Sequence, residues 1–143
     1  LAYPLVKKLL KEWGDEILFV YRHFPLRTIH PDAFDAALAA EAAGRQDKFW
    51  EMYDRIFQNQ DKLGDEYFLM SSAYMIGLEP GQFEWDMKSD DVRSKVKGDF
   101  ESGISSGVNG TPAFFLNNLP LVSYNATYES LFDAIQLAAE MDQ

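Results

Sequence analysis

The sequence predicts an α/β fold in which a helical block interrupts a small sheet. Residues 1–13 carry apolar side chains at helical spacing and lead into a continuous apolar run at 17–21, which is typical of a buried strand. Residues 31–107 have an almost entirely helical pattern. Residues 113–122 resemble two short strands with a tight turn, and a final amphipathic helix follows them.

The first helix has an unusual beginning. Leu1 and Ala2 are poor N-cap residues, whereas Gly14 is a good C-terminal cap. We therefore expect this helix to begin before residue 1. A helix that feeds a buried strand normally descends from an earlier parallel strand, because a crossover connects two such strands. The sequence thus predicts a sheet whose first strand is missing from this chain.

The helical block divides at residues that commonly begin or end helices. Pro31 suits a first helical position, and Asp47 and Ser89 suit N-caps. The predicted helices begin at Pro31, Asp47, Asp65, Pro80 and Ser89, and the third and fifth end at Gly77 and Gly107.

The C-terminal pattern predicts a hairpin followed by a helix. Ala113 to Leu116 forms the first strand, and Leu119 to Val122 returns as an edge strand because Pro120 cannot donate to a ladder. Asn117 and Asn118 form a two-residue turn, since asparagine tolerates positive φ.

Bulk properties exclude several classes of protein. The 143 residues suffice for one folded domain, and 47% hydrophobic and 15% aromatic residues argue against disorder. No apolar run is long enough to span a membrane. A net charge of −10 disfavours nucleic acid as a partner. The chain has no cysteine, and its two histidines, His23 and His30, have no zinc-like spacing, so we expect no metal and no cofactor.

The element order and four motifs together resemble the DsbA family of thiol-disulfide oxidoreductases, which have a thioredoxin fold. The motifs are VYRHFPL at 20–26, HPDAFDAALAAEAA at 30–43, FWEMYDRIF at 49–57 and GVNGTPAFFLN at 107–117. The resemblance covers essentially the whole chain. It implies a thioredoxin core at 1–29 and 107–143, with a helical insertion at 30–106 between the second and third strands.

The resemblance also implies a substrate-binding loop at Gly110, Thr111 and Pro112. In the family this proline follows a cis peptide bond at the head of a strand. Neighbouring backbone groups then remain available to an extended substrate segment. This explains why a proline stands directly before the predicted strand.

The family's catalytic cysteine pair is absent from the chain. The chemistry needs Cys-x-x-Cys at the N-terminus of the first helix, where the helix dipole favours a thiolate. A proline commonly lies five residues after the second cysteine in such helices, and counting back from Pro4 places that cysteine just before Leu1. We therefore expect the motif upstream of this chain, with Leu1, Ala2, Tyr3 and Pro4 in the active-site helix.

Several residues have competing interpretations. His23 and Pro25 either line the active face or simply end a strand. The aromatic cluster around Trp50 and Tyr53 is part of a peptide groove or, as we prefer for most of it, core packing. Glu41 lies in an alanine-rich helix and is a candidate buried acid that tunes a thiolate.

Three functions remain open on the sequence. The first is thiol-disulfide exchange with protein or peptide substrates, together with a redox partner protein. The second is a glutathione-dependent isomerase or transferase, although those relatives typically have Val-Pro in place of Thr111-Pro112. The third is a redox-inert peptide-binding module. The family favours an extracytoplasmic compartment, and cytoplasmic members exist.

Overall fold

The computed structural model describes residues 2–141, so Leu1 of the predicted active-site helix lies outside the described residues. The chain divides into two compact units. One unit combines residues 1–21 with residues 110–143, and the other is the continuous segment 22–109. Within the described residues, the structure has seven α-helices and one two-stranded sheet.

The continuous unit contains five α-helices and a short 3₁₀-helix. The α-helices are α2 (Ala33–Gly44), α3 (Phe49–Phe57), α4 (Phe68–Met75), α5 (Pro80–Lys88) and α6 (Asp90–Ser105), and the 3₁₀-helix covers Gln60–Lys62. Helix α2 lies at the centre, because eight of its twelve residues are buried. Its alanines leave room for close contact with neighbouring helices. The largest fully buried side chains around it include Phe83, Met52 and Val96.

Two helix starts in this unit follow from capping chemistry. Ser89 caps α6, since its hydroxyl accepts a hydrogen bond from the backbone N–H of Val92 at 3.3 Å. Glu79 caps α5 by accepting from the backbone N–H groups of Gly81 and Gln82, directly before Pro80 at the first helical position.

The other three predicted helix starts were wrong. Helix α2 begins at Ala33 instead of Pro31, because Pro31 and Asp32 form a turn. Asp47 does not cap α3, which begins at Phe49. Asp47 lies in the loop before this helix, and its φ of 61° is in the left-handed region. The third predicted helix also starts late, at Phe68, since the Asp65 carboxylate accepts from the backbone N–H of Tyr67 in a local turn.

The other unit pairs the first and last helices and carries the hairpin. Its helices are α1 (Ala2–Trp13) and α7 (Tyr128–Met141), and its strands are β1 (Phe115–Leu116) and β2 (Leu119–Pro120). Trp13 meets Phe132 edge to face with ring centroids 5.6 Å apart. The Lys8 ammonium lies 4.0 Å from the centre of the Tyr128 ring, a cation–π distance.

The hairpin turn agrees with the prediction from the two asparagines. Phe115 pairs with Pro120 and Leu116 with Leu119, so two residues connect the strands. Asn117 and Asn118 both have positive φ, at 50° and 69°. These values are those of a type I′ turn, whose twist matches that of the flanking strands.

The predicted buried strand at 17–21 is absent. This segment has no regular secondary structure and no strand partner among the described residues. Leu18 is 90% exposed and Val20 is 60% exposed, while their neighbours are half-buried. The apolar run has the composition of a strand, but a ladder also needs a hydrogen-bonding neighbour. The two hairpin strands are likewise shorter than predicted.

No helix among the described residues is both long enough and apolar enough to cross a membrane.

Candidate functional site

The predicted substrate loop lies directly before β1. Thr111, Pro112 and Ala113 are exposed, and Gly110 is half-buried. The peptide bond between Thr111 and Pro112 is cis. Across the described residues, backbone groups of residues 110–113 make no hydrogen bonds to other backbone groups. The first such bond after the loop runs from the Leu121 N–H to the Phe114 carbonyl at 2.8 Å. The loop thus presents polar backbone groups to solvent.

The predicted active-site helix corresponds to the start of α1. Ala2 and Tyr3 are half-buried and Pro4 is exposed, all within the first turn of the helix as described. Proline is acceptable there because it removes no intrahelical hydrogen bond. The buried side of α1 consists of Val6 and Leu9. No residue of this helix supplies a thiol, since the chain contains no cysteine.

His23 and Pro25, the two predicted active-face residues, have different surroundings in the continuous unit. His23 is buried, with 4% of its surface exposed. Pro25 is half-buried and lines a cavity of about 310 Å³ together with Phe34 and Phe100. Neither residue ends a strand, because no strand precedes them in the described part of the chain.

His23 is the centre of a polar cluster that also contains Glu41, Lys95 and Asp99; we call these four residues the His23 cluster. The Nε2–H of His23 donates to Glu41 Oε1 at 2.9 Å. The backbone N–H of His23 donates to Asp99 Oδ2 at 3.1 Å, and Lys95 Nζ donates to Asp99 Oδ1 at 2.7 Å. Lys95 Nζ also lies 3.9 Å from Glu41 Oε1. The cluster therefore connects the segment before α2 with helices α2 and α6.

His23 and Glu41 were identified from the sequence, whereas Asp99 and Lys95 were not. A signal for Asp99 exists, because it lies three residues after Val96 and seven after Val92 on the apolar side of α6. A carboxylate at such a position is buried only when it has partners. Glu41 was a candidate for a buried acid that tunes a thiolate; in the structure its carboxylate pairs with His23 and Lys95.

The aromatic cluster on α3 mainly packs the core of the continuous unit. Met52, Tyr53 and Ile56 are buried. Trp50 is 43% exposed, and its ring meets Phe49 and Tyr53 edge to face at 4.9 and 5.1 Å. The preference for core packing was therefore correct for most of this cluster.

Comparison with known proteins identifies similarity to parts of much larger proteins. The chain is 40% identical over 122 residues to the Na(+)/H(+) antiporter NhaA 1 of Mycolicibacterium vanbaalenii, a match that covers 82% of this chain and 19% of that protein. It is 36% identical to the Na(+)/H(+) antiporter NhaA 3 of Salinispora tropica and 37% identical to the NhaA of Herminiimonas arsenicoxydans, over 81% and 82% of this chain and 18% of each relative. The chain thus spans about a fifth of the length of these curated relatives. No solved structure matches significantly.

A family model gives the broader relationship. The model of the DSBA-like thioredoxin domain matches residues 5–136, a span that includes most of α1, the helical unit, the proline loop and most of α7. The chain therefore belongs to the DSBA-like thioredoxin domain family.

Proposed function

We propose that this domain holds extended protein segments at residues 110–113 for thiol-disulfide exchange. The observation that carries the proposal is the exposed loop of the DSBA-like domain, whose backbone groups have no backbone partners among the described residues. Such a loop can pair with a substrate main chain while side chains remain free to vary. This suits an oxidoreductase that acts on many unfolded proteins in an extracytoplasmic compartment.

The redox step itself requires thiols that this chain does not contain. A thiolate attacks a disulfide sulfur, forms a mixed disulfide and releases the other sulfur as a thiolate. We propose that a cysteine pair N-terminal to α1 supplies this nucleophile, where the helix dipole stabilises its ionised form. The proline loop then contributes substrate binding, and no residue of this chain is itself oxidised or reduced.

Peptide binding at the loop can be tested by NMR on the isotopically labelled chain. An unstructured peptide should shift the backbone amide signals of residues around the loop, mainly Gly110, Thr111 and Ala113. A matched peptide with N-methylated backbone amides should bind at least about tenfold more weakly, because it lacks the donors that strand pairing needs. Equal binding of the two peptides, or signal changes elsewhere only, would contradict the proposed binding mode.

The proposed cysteine pair has a separate test, which uses the natural protein. After reduction, alkylation should increase its intact mass by two alkyl groups. No increase would exclude disulfide exchange. Peptide binding without alkylation would then identify a redox-inert binding module, and glutathione binding without peptide binding would favour the isomerase or transferase alternative.

The relatives favour a second, compatible candidate for the whole protein. Each relative described above is named a Na(+)/H(+) antiporter, and the matched segment forms only about a fifth of it. We propose that the domain functions as a soluble part attached to such a transporter. An antibody against the chain should then detect a much larger protein in the membrane fraction of native cells, whereas a band of the chain's own 16.4 kDa in the soluble fraction would contradict this.

A further inference from the structure

The His23 cluster contains more negative than positive charge at full carboxylate ionisation. Glu41 and Asp99 provide two carboxylates, and Lys95 provides one ammonium. Buried carboxylates need compensating charge, and a buried imidazole supplies it only when protonated. The cluster is therefore a place where an additional cation would be stabilised electrostatically.

The atoms of the cluster also have the chemistry of metal ligands. One ligand atom from each of His23, Glu41 and Asp99 lies within 4.8 Å of the other two. A tetrahedral zinc ion, about 2.1 Å from each ligand, holds neighbouring ligand atoms about 3.4 Å apart. Small side-chain movements would achieve this, because the His23 Nε2 and Glu41 Oε1 atoms are already 2.9 Å apart.

Two of the three ligand residues are buried and held in place, and the third is partly exposed to solvent. His23 and Asp99 are buried, and the backbone N–H of His23 donates to Asp99 Oδ2, which holds the two residues together. The Glu41 side chain is 21% exposed and therefore connects the cluster with solvent. Lys95 occupies the carboxylates, but its side chain is 51% exposed and can move into solvent at little cost.

We propose that His23, Glu41 and Asp99 form a binding site for a divalent transition-metal ion, with zinc the strongest candidate, and that Lys95 is the resident cation without metal. When the metal binds, His23 loses its Nε2 proton: an imidazolium releases it to solvent, whereas a neutral ring gains a proton at Nδ1 in exchange, and Lys95 moves away from the carboxylates. The sequence could not predict this site, because the three ligands come from separate segments without a metal-binding spacing. The site is independent of the peptide loop and of any thiol.

Zinc alone is the probe for the test. The 143-residue chain lacks cysteine, so zinc binding measured by competition with a chromophoric chelator has no thiolate background. We expect one zinc ion per chain. Glu41→Gln should weaken binding at least about tenfold, comparable with the effect of losing a supporting residue at a metal site. Lys95→Met should strengthen binding several-fold, since it removes the competing cation.

Two matched variants control the experiment. His30→Gln replaces the other histidine, which is exposed, and Lys88→Met removes the lysine of an exposed pair with Glu84; neither should alter zinc affinity. Because the Lys95 side chain is half-exposed, Lys95→Met keeps the proposal testable even if Glu41→Gln does not fold. Absence of stoichiometric zinc binding, or the same affinity in Lys95→Met as in the unmodified chain, would overturn the proposal.

Discussion

Gly103 on α6 is required by a close approach of an aromatic ring. A Cβ atom at this position would lie 2.7 and 2.8 Å from the Cδ1 and Cε1 atoms of Phe24. The Phe24 ring stacks on Phe100, with centroids 4.6 Å apart and planes inclined by 29°. The ring therefore cannot move away from Gly103 without disturbing this stacking.

Gly103→Ala should destabilise the protein even though alanine is the better helix former. We expect a loss of about 1–3 kcal/mol in the free energy of unfolding from overpacking. Gly98 on the same helix is the matched control, because its added Cβ would meet nothing within 4 Å. Gly98→Ala should stabilise by up to about 1 kcal/mol. Urea denaturation measures both, and equal effects of the two substitutions would contradict the steric explanation.

At the scale of elements, the contact between α1 and α7 predicts a pH dependence. The Tyr128 hydroxyl on α7 donates a hydrogen bond to the Glu12 carboxylate on α1. This hydrogen bond, then burial, then the charges of Glu12 and Glu129 raise the pKa of Tyr128 from 10.0 to about 12. The neutral phenol is thus favoured in the folded state, because ionisation removes the donor and places a phenolate beside a carboxylate.

A phenol with a raised pKa contributes stability that is fully present below pH 10.0 and is lost as the pH rises through about 12. Ultraviolet titration should therefore show a phenolate step near 12 that is lost in Tyr128→Phe. In Glu12→Gln the same step should move towards 10.0, since the charged acceptor is gone. A step near 12 that persists in Tyr128→Phe would contradict the assignment.

Elements differ in how well the sequence predicts them. The starts of α5 and α6 followed from Pro80 and Ser89, because helix starts depend on residues adjacent in sequence. The type I′ turn was predictable for the same reason. The absence of a strand at 17–21 was not predictable, since a strand exists only when a neighbour supplies its hydrogen bonds.

The sites differ in the same way. The loop at Thr111 and Pro112 is contiguous, so a motif could identify its position. The His23 cluster depends on contacts across 18 residues to Glu41 and 76 residues to Asp99. No local sequence pattern predicts a contact between residues so far apart in the sequence. An acid within the apolar stripe of α6 shows that a partner must exist, but the sequence does not show which residue it is.

At the scale of the whole molecule, the continuous unit begins earlier than the helical insertion expected at 30–106. The continuous unit extends from residue 22 to residue 109. The additional segment 22–29 supplies the buried His23 and the Phe24 ring that stacks on Phe100. Both hydrophobic clusters of the unit, by contrast, consist of buried residues within 34–96. The expected insertion therefore contains the apolar core but lacks His23, one of the two partners of Asp99, and Phe24, the ring that stacks on Phe100.

This difference predicts the behaviour of two excised fragments. Residues 22–109 form a continuous segment with its own core, so this fragment should be helical by circular dichroism and should unfold cooperatively in urea. The fragment 30–106 should be less stable by about 3 kcal/mol or more, because Asp99 and Glu41 lose the His23 partner and the Phe100 ring loses its stacking neighbour. Fragment 22–109 carrying His23→Ala and Phe24→Ala is the matched control: it loses both rings but keeps the backbone N–H that donates to Asp99, so its stability should lie between those of the two fragments. Equal stability of the two unmodified fragments would mean that the segment 22–29 does not hold α2 and α6 together.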